Sequence, residues 1–227
     1  EVHVWLADLD RPPIPRQLLY ACLAPDERER AARFRFDVHR DRFVAGRGLL
    51  RRILAPLLGV EPGEVVFRYG AKGKPSLARP EAELAFNLSH SANGALFALS
   101  RGAELGVDLE ALRPLSDADA LVERFFHPRE REVYARVPAE ERLTCFYCGW
   151  TRKEAYVKAR GDGLSLPTTA FEVVLVPGEP ARMVGFDAEP REVERWSFAA
   201  LEPARGFLGA LAVEGPPLDV VARFWAP

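Results

Sequence analysis

The chain has 227 residues, 48% hydrophobic and 28% charged, with 31 Lys and Arg against 33 Asp and Glu for a formal net charge of −2. That balance excludes the global basic field on which nucleic-acid binding draws, so any phosphate-binding patch has to be local. No apolar run approaches the roughly 20 residues that cross a bilayer, the start lacks a signal-peptide pattern, and three cysteines make no disulfide framework. A cytoplasmic protein with no membrane or nucleic-acid partner is expected.

The alternation of Val2, Val4 and Leu6 predicts a strand over 2–7, followed by a Pro-rich turn at Arg11 to Pro15. A helix is expected from Pro25-Asp26 onward, carrying Arg28, Arg30 and Arg33. A second covers 37–58, where Phe43, Leu50, Leu54, Leu57 and Leu58 interleave with Arg40, Arg42, Arg47, Arg51 and Arg52. Arg40, Arg47 and Arg51 share a face, which reads as a solvated surface of snorkelling arginines in preference to an anion site. Strand patterns follow at 65–69, 84–88, 95–99 and 104–109, with Asn93-Gly94 as a hairpin signal. Helical patterns cover 116–126, 128–136 and 139–160, the last stopped by Gly161, and strands return at 171–176, 195–200 and 207–213. Strands and helices are grouped rather than strictly alternating, which predicts an α+β fold.

The basic residues are almost all arginine. Lysine occurs only at 72, 74, 153 and 158, in the segments Gly70-Ala71-Lys72-Gly73-Lys74-Pro75 and Lys153-Glu154-Ala155-Tyr156-Val157-Lys158. An ammonium is a compact charge that a planar guanidinium does not reproduce against phosphate, so both segments are candidates for chemistry.

On a strand, Asp108 and Glu110 point to one side, with Val107 and Leu109 to the other. Two adjacent carboxylates repel unless a cation lies between them, and such oxygen ligands suit Mg²⁺; the plainer reading is a strand end whose acids are in water. Trp150, Glu154 and Lys158 form one helical stripe, more than a solvated intrahelical ion pair needs. If that helix packs beside the strand, Glu154 becomes a third metal ligand and Lys158 a phosphate donor. Asn87-Leu88-Ser89-His90-Ser91 could bind a phosphate or serve local turn chemistry. Cys145-Phe146-Tyr147-Cys148 reads as buried helical cysteines rather than a redox or zinc motif.

Together, Gly106-Val107-Asp108-Leu109-Glu110 and Trp150-Thr151-Arg152-Lys153-Glu154-Ala155-Tyr156-Val157-Lys158 resemble the signature of the 4′-phosphopantetheinyl transferases. Gly73-Lys74-Pro75, the Asn87 to Ser91 segment and Gly161-Asp162-Gly163-Leu164-Ser165-Leu166-Pro167 accompany them in order, as in the monomeric surfactin-type branch. The resemblance implies two similar α+β halves, here 1–102 and 103–227, related by a pseudo-twofold axis with coenzyme A between them. It implies Mg²⁺-dependent transfer of the phosphopantetheine arm of coenzyme A to a serine of an apo acyl or peptidyl carrier protein, releasing adenosine 3′,5′-bisphosphate. By position it assigns Asp108, Glu110 and Glu154 to Mg²⁺ and Lys158 to the pyrophosphate. Lys74, Pro75, Ser89, His90, Arg30 and Arg42 go to coenzyme A, and Lys153 adds positive charge beside Lys158. Glu27 and Phe43 depart from the family pattern, which has lysine and a small hydroxyl residue there in some members. A Mg²⁺-dependent pyrophosphohydrolase using the same acids, and a binding module in which they form a surface ion-pair network, are the alternatives.

Overall fold

The computed structural model describes residues 1–79, 82–216 and 219–224. The first part of the chain runs β1 (Val2–Asp8), α1 (Arg16–Ala21), α2 (Pro25–Ala32), α3 (Asp37–Leu58), β2 (Val66–Tyr69), β3 (Pro75–Arg79), β4 (Leu84–Ser91) and β5 (Gly94–Arg101). The second runs β6 (Leu105–Ala111), α4 (Ala118–Phe125), α5 (Pro128–Arg136), α6 (Arg142–Arg160), β7 (Phe171–Val173), β8 (Met183–Phe186), α7 (Glu192–Arg195), β9 (Trp196–Leu201) and β10 (Phe207–Glu214). β11 (Val220–Phe224) closes the described chain.

The two parts repeat one plan: a strand, short helices, one long helix, a two-stranded hairpin and two further strands. The strand orders repeat as well, β1-β5-β4 in one sheet and β6-β10-β9 in the other. The fold is therefore α+β, as the grouping of patterns predicted. β11 pairs in parallel with β1, so the far end of the chain returns to the first sheet.

The layering explains the apolar runs. Along β5, Phe97 and Leu99 join Leu49, Leu50 and Leu54 of α3 in one core, while Leu96 and Ala98 meet Val107, Leu109, Leu211 and Val213 of the second sheet in another. A strand covered on both faces has no solvent side, so its pattern is continuous rather than alternating. On the far face of the second sheet, Ala210 and Ala212 pack with Ala155 and Tyr156 of α6. The order is helix, sheet, sheet, helix, and the two sheets are joined by an apolar seam.

The arginine face of α3 is not solvated. Arg47 and Arg51 are buried and grip Glu27, with Arg47 Nε donating to Oε1 and Arg51 Nε to Oε2, both at 2.7 Å. Arg51 also donates to the Val65 carbonyl at 2.6 Å, and both guanidiniums lie over the Phe67 ring. The acid at position 27 is the counter-ion of this pair. Arg40 alone of the three stays near the surface, paired with Asp37 and Asp41.

Candidate active site

β6 and α6 approach each other at Gly106. A Cβ at that position would lie 2.2 Å from the Ala155 carbonyl oxygen and 2.3 Å from the Ala159 nitrogen, so only glycine allows the contact. Asp108 and Glu110 follow at strand period on the same face and therefore confront α6. Trp150, Glu154 and Lys158 meet them along one helical stripe. These five residues line a cleft of ≈ 820 Å³ together with Lys74, Pro75, Ser89 and His90 from the first part of the chain. Gly161, with φ of 75°, ends α6 by donating its N–H to the Val157 carbonyl. This turns the chain into the segment Leu166 to Thr169, which forms another wall of the cleft.

Asp108 is buried at the centre. Its Oδ1 accepts from Lys158 Nζ at 2.6 Å and from Ser89 Oγ at 2.9 Å. Its Oδ2 is enclosed and has no hydrogen-bond partner among the described residues. Burial pushes the Asp108 pKa up against the pull of Lys158 and Ser89. Burial also raises Glu110, against a 2.8 Å hydrogen bond donated by Ser91 Oγ and with the Asp108 charge adding to the rise. Glu154 is raised by burial, then by Asp108 and Glu110, with Lys158 opposing. One ammonium thus stands among three acids that disfavour one another's charge.

An orphaned buried carboxylate oxygen within an acid-rich cleft is what a hard divalent cation would satisfy, so these residues fit Mg²⁺. Among the described residues, no three His, Cys, Asp or Glu side chains are already gathered tightly enough to hold a metal unaided. Mg²⁺ commonly keeps water and takes substrate phosphate oxygens beside one or two carboxylates, which such an open arrangement accommodates.

Several expected ligand contacts are otherwise engaged. The Ser89 hydroxyl donates to Asp108 and accepts from Lys158 Nζ at 2.9 Å and from the Leu109 N–H at 3.2 Å, which exhausts one donor and two lone pairs. It is oriented toward β6 rather than toward a ligand. Lys153 does not reach the cleft: it is 1% exposed, pairs with Glu130 at 2.8 Å and donates to the Thr168 and Phe171 carbonyls at 2.7 Å. Consecutive helical residues diverge by about 100°, so Lys153 enters the core where Glu154 enters the cleft. Lys74 Nζ spans the two parts, donating to Glu104 and to the Ala159 carbonyl at the end of α6. Arg42 is held bidentate by Asp10, and Arg30 lies over the Phe43 ring at 5.1 Å. Both are outside the cleft lining, yet His90 feels them: although its side chain is exposed, partial desolvation against the cleft lowers its pKa, and Lys158, Arg42 and Arg30 lower it further.

Arg124, Phe125, Thr168 and Thr169 also line the cleft and were not singled out from sequence. Phe125 packs edge-on against Trp150 at 5.6 Å, with the Arg124 guanidinium over its ring at 5.0 Å. For Arg124 and Phe125 the sequence signal is the aromatic pair Phe125-Phe126 at a helix end, and Thr168 and Thr169 directly follow the Gly161 to Pro167 segment. Cys145 and Cys148 are free thiols in α6, and burial raises both, Cys145 to about 12, as unreactive helical cysteines require.

Among the described residues, no helix is long and apolar enough to cross a membrane. Two family models match the chain: 4′-phosphopantetheinyl transferase, N-terminal, over residues 12–101, and the 4′-phosphopantetheinyl transferase superfamily over residues 104–212. The chain is 46% identical over 227 residues to 4′-phosphopantetheinyl transferase HetI of Nostoc sp., covering 99% of this chain and 92% of that protein. It is 40% identical over 156 residues to 4′-phosphopantetheinyl transferase AcpT of Escherichia coli K12, covering 69% of this chain and 71% of that one. A solved holo-(acyl-carrier-protein) synthase from Bacillus anthracis, in complex with CoA (3′,5′-ADP), aligns with a TM-score of 0.40 and 20% identity, over 49% of this chain and 94% of its own.

Proposed function

The chain belongs to the 4′-phosphopantetheinyl transferase superfamily, and from that membership and the acid-lined cleft we propose that it transfers the 4′-phosphopantetheine arm of coenzyme A to a serine of an apo carrier protein. The serine oxygen forms a bond to the phosphorus that bears the pantetheine arm. The bond from that phosphorus to the bridging oxygen breaks, and adenosine 3′,5′-bisphosphate leaves with the electron pair. The serine proton passes to Glu154, which lines the cleft beside Lys158, directly or through water.

The observation that carries the reading is the convergence of Asp108, with its unpartnered Oδ2, and Glu110, Glu154 and Lys158 on one cleft. Asp108, Glu110 and Glu154 would hold Mg²⁺. When bound, the cation would neutralise charge on the pyrophosphate as the leaving group departs. Lys158 offers an ammonium to the same oxygens, and its 2.6 Å contact with Asp108 holds it at the cleft wall beforehand. The cationic side chains near His90, Arg30 among them, support binding of the remaining phosphates there, and Pro75 supplies an apolar wall for the adenine.

The test is the intact mass of an apo carrier protein incubated with this protein, coenzyme A and Mg²⁺, with and without chelator. A chelator-sensitive gain of one phosphopantetheine group, ~340 Da from its covalent composition, is expected. No gain across acyl and peptidyl carriers, with coenzyme A still bound, would overturn the assignment. Cleavage of coenzyme A without any carrier would replace it with a pyrophosphohydrolase.

A further inference from the structure

β4 and β6 are edge strands of different sheets, and among the described residues no backbone ladder joins them. In β6 the N–H groups of Gly106, Asp108 and Glu110 face β10, which leaves those of Val107, Leu109 and Ala111 on the open edge. A buried N–H without an acceptor is costly, so these groups need partners. Alternate side chains of β4 provide them. Val107 N–H donates to Asn87 Oδ1 at 3.0 Å, Leu109 N–H to Ser89 Oγ at 3.2 Å and Ala111 N–H to Ser91 Oγ at 3.1 Å.

Each serine then returns its own proton to the acid that precedes the capped residue. Ser89 donates to Asp108 at 2.9 Å and Ser91 to Glu110 at 2.8 Å. The same unit therefore occurs twice, displaced by two residues: serine hydroxyl, backbone N–H, carboxylate. At its head stands Asn87, opposite Gly106, where no side chain exists to receive a proton. Once a backbone N–H occupies the serine oxygen, the direction left for the hydroxyl proton is toward the carboxylate. The strand junction and the aim of the two acids are thus set by the same atoms.

We infer that Ser91 is a positioning residue for Glu110, and that Asn87, Ser89 and Ser91 together form a side-chain ladder that aligns Asp108 and Glu110 for a divalent cation while joining the two sheets. The inference rests on the reading of Asp108 and Glu110 as cation ligands. Groups that hydrogen-bond a metal's carboxylates typically change its affinity 10- to 100-fold when removed.

The experiment compares Ser91→Ala, Ser91→Val and Ser91→Thr with the unsubstituted protein. Mn²⁺ binding is counted by paramagnetic resonance on the protein saturated with coenzyme A, whose phosphates complete the site, coenzyme A binding is followed by calorimetry, and kcat and KM are measured with an apo carrier. Ser91→Ala and Ser91→Val are expected to weaken Mn²⁺ roughly tenfold and to lower kcat, leaving coenzyme A affinity within about twofold. Ser91→Thr, which keeps the hydroxyl and the β-branch of valine, is expected to restore most of both. Should Ser91→Ala fail to fold, the isosteric Val and Thr pair carries the comparison, because both perturb the strand alike. Equal Mn²⁺ affinity in Val and Thr variants, with Glu110→Gln weakening the ion, would overturn the positioning role alone. If Glu110→Gln also leaves Mn²⁺ binding unchanged, the ligand reading itself fails.

Discussion

Lys153 and Glu154 are adjacent in α6 and serve different spaces: the Lys153 ammonium lies 2.8 Å from Glu130 in the core, while Glu154 lines the cleft. Glu130 Oε1 accepts the Val173 N–H and its Oε2 the His127 N–H, so the pair ties α5, α6 and β7 together. Because Lys153 also holds the Thr168 and Phe171 carbonyls, it braces the wall of the cleft from behind.

Replacing Lys153 with Met is therefore expected to lower unfolding free energy by about 3 kcal/mol, since it strands a buried carboxylate. Adding Glu130→Leu should recover little of that loss, because it removes the unpaired acid but leaves the buried Val173 and His127 N–H groups without their acceptor. Urea unfolding measures both, and any loss of coenzyme A affinity should follow the loss of stability. A large loss of affinity at undiminished stability would instead place Lys153 on the ligand.

Gly106→Ala should destabilise by at least ~1–3 kcal/mol, the range for forcing an extra methylene into a packed core. The added Cβ meets backbone atoms of α6, which cannot rotate away as a side-chain tip could. A fall in melting temperature accompanied by loss of transfer is expected, because the displaced strand carries Asp108. An unchanged melting temperature would show that the helix can slide to make room.

Glu27 gives a pH signature. Burial pushes its pKa up, but Arg47 and Arg51, together with the Ala24 N–H, more than offset this and leave it below its ordinary 4.5. A carboxylate with a depressed folded pKa contributes stability that is complete above the unfolded value and lost as pH falls through the folded one. Acid unfolding followed by circular dichroism should show a component beginning below about pH 4.5 that Glu27→Gln removes. The variant should also be less stable at neutral pH, with two buried guanidiniums left short of a counter-ion.

Glu154→Gln is nearly isosteric, so binding of coenzyme A should survive while turnover falls by about 10²–10⁴-fold, the span for loss of a general base. Single-turnover assays with saturating carrier protein separate the two. Turnover close to that of the unsubstituted enzyme would assign the proton to another acceptor.

Much of the site was legible before any fold was known. Period two in β6 put Asp108 and Glu110 on one face, and period 3.6 in α6 put Trp150, Glu154 and Lys158 in one stripe. These are consequences of local backbone geometry, which a sequence carries directly. The core strands and long helices emerged for the same reason. Short elements did not: α1, β3, β8 and α7 span too few residues to show a period, and β11 is specified chiefly by its parallel partner β1 at the other end of the chain.

Tertiary structure decided what each polar group does with its hydrogen bonds. Arg47 and Arg51 looked solvated until α2 brought Glu27 against them, and Ser89 looked free for a ligand until β6 consumed its hydroxyl. Lys74 reaches a carbonyl 85 residues away. A side chain's periodicity says which way it leaves its own element, and that much is local. Which donor or acceptor waits there depends on how two sheets and two long helices stack, a relationship between distant segments that burial energy settles and no local pattern records.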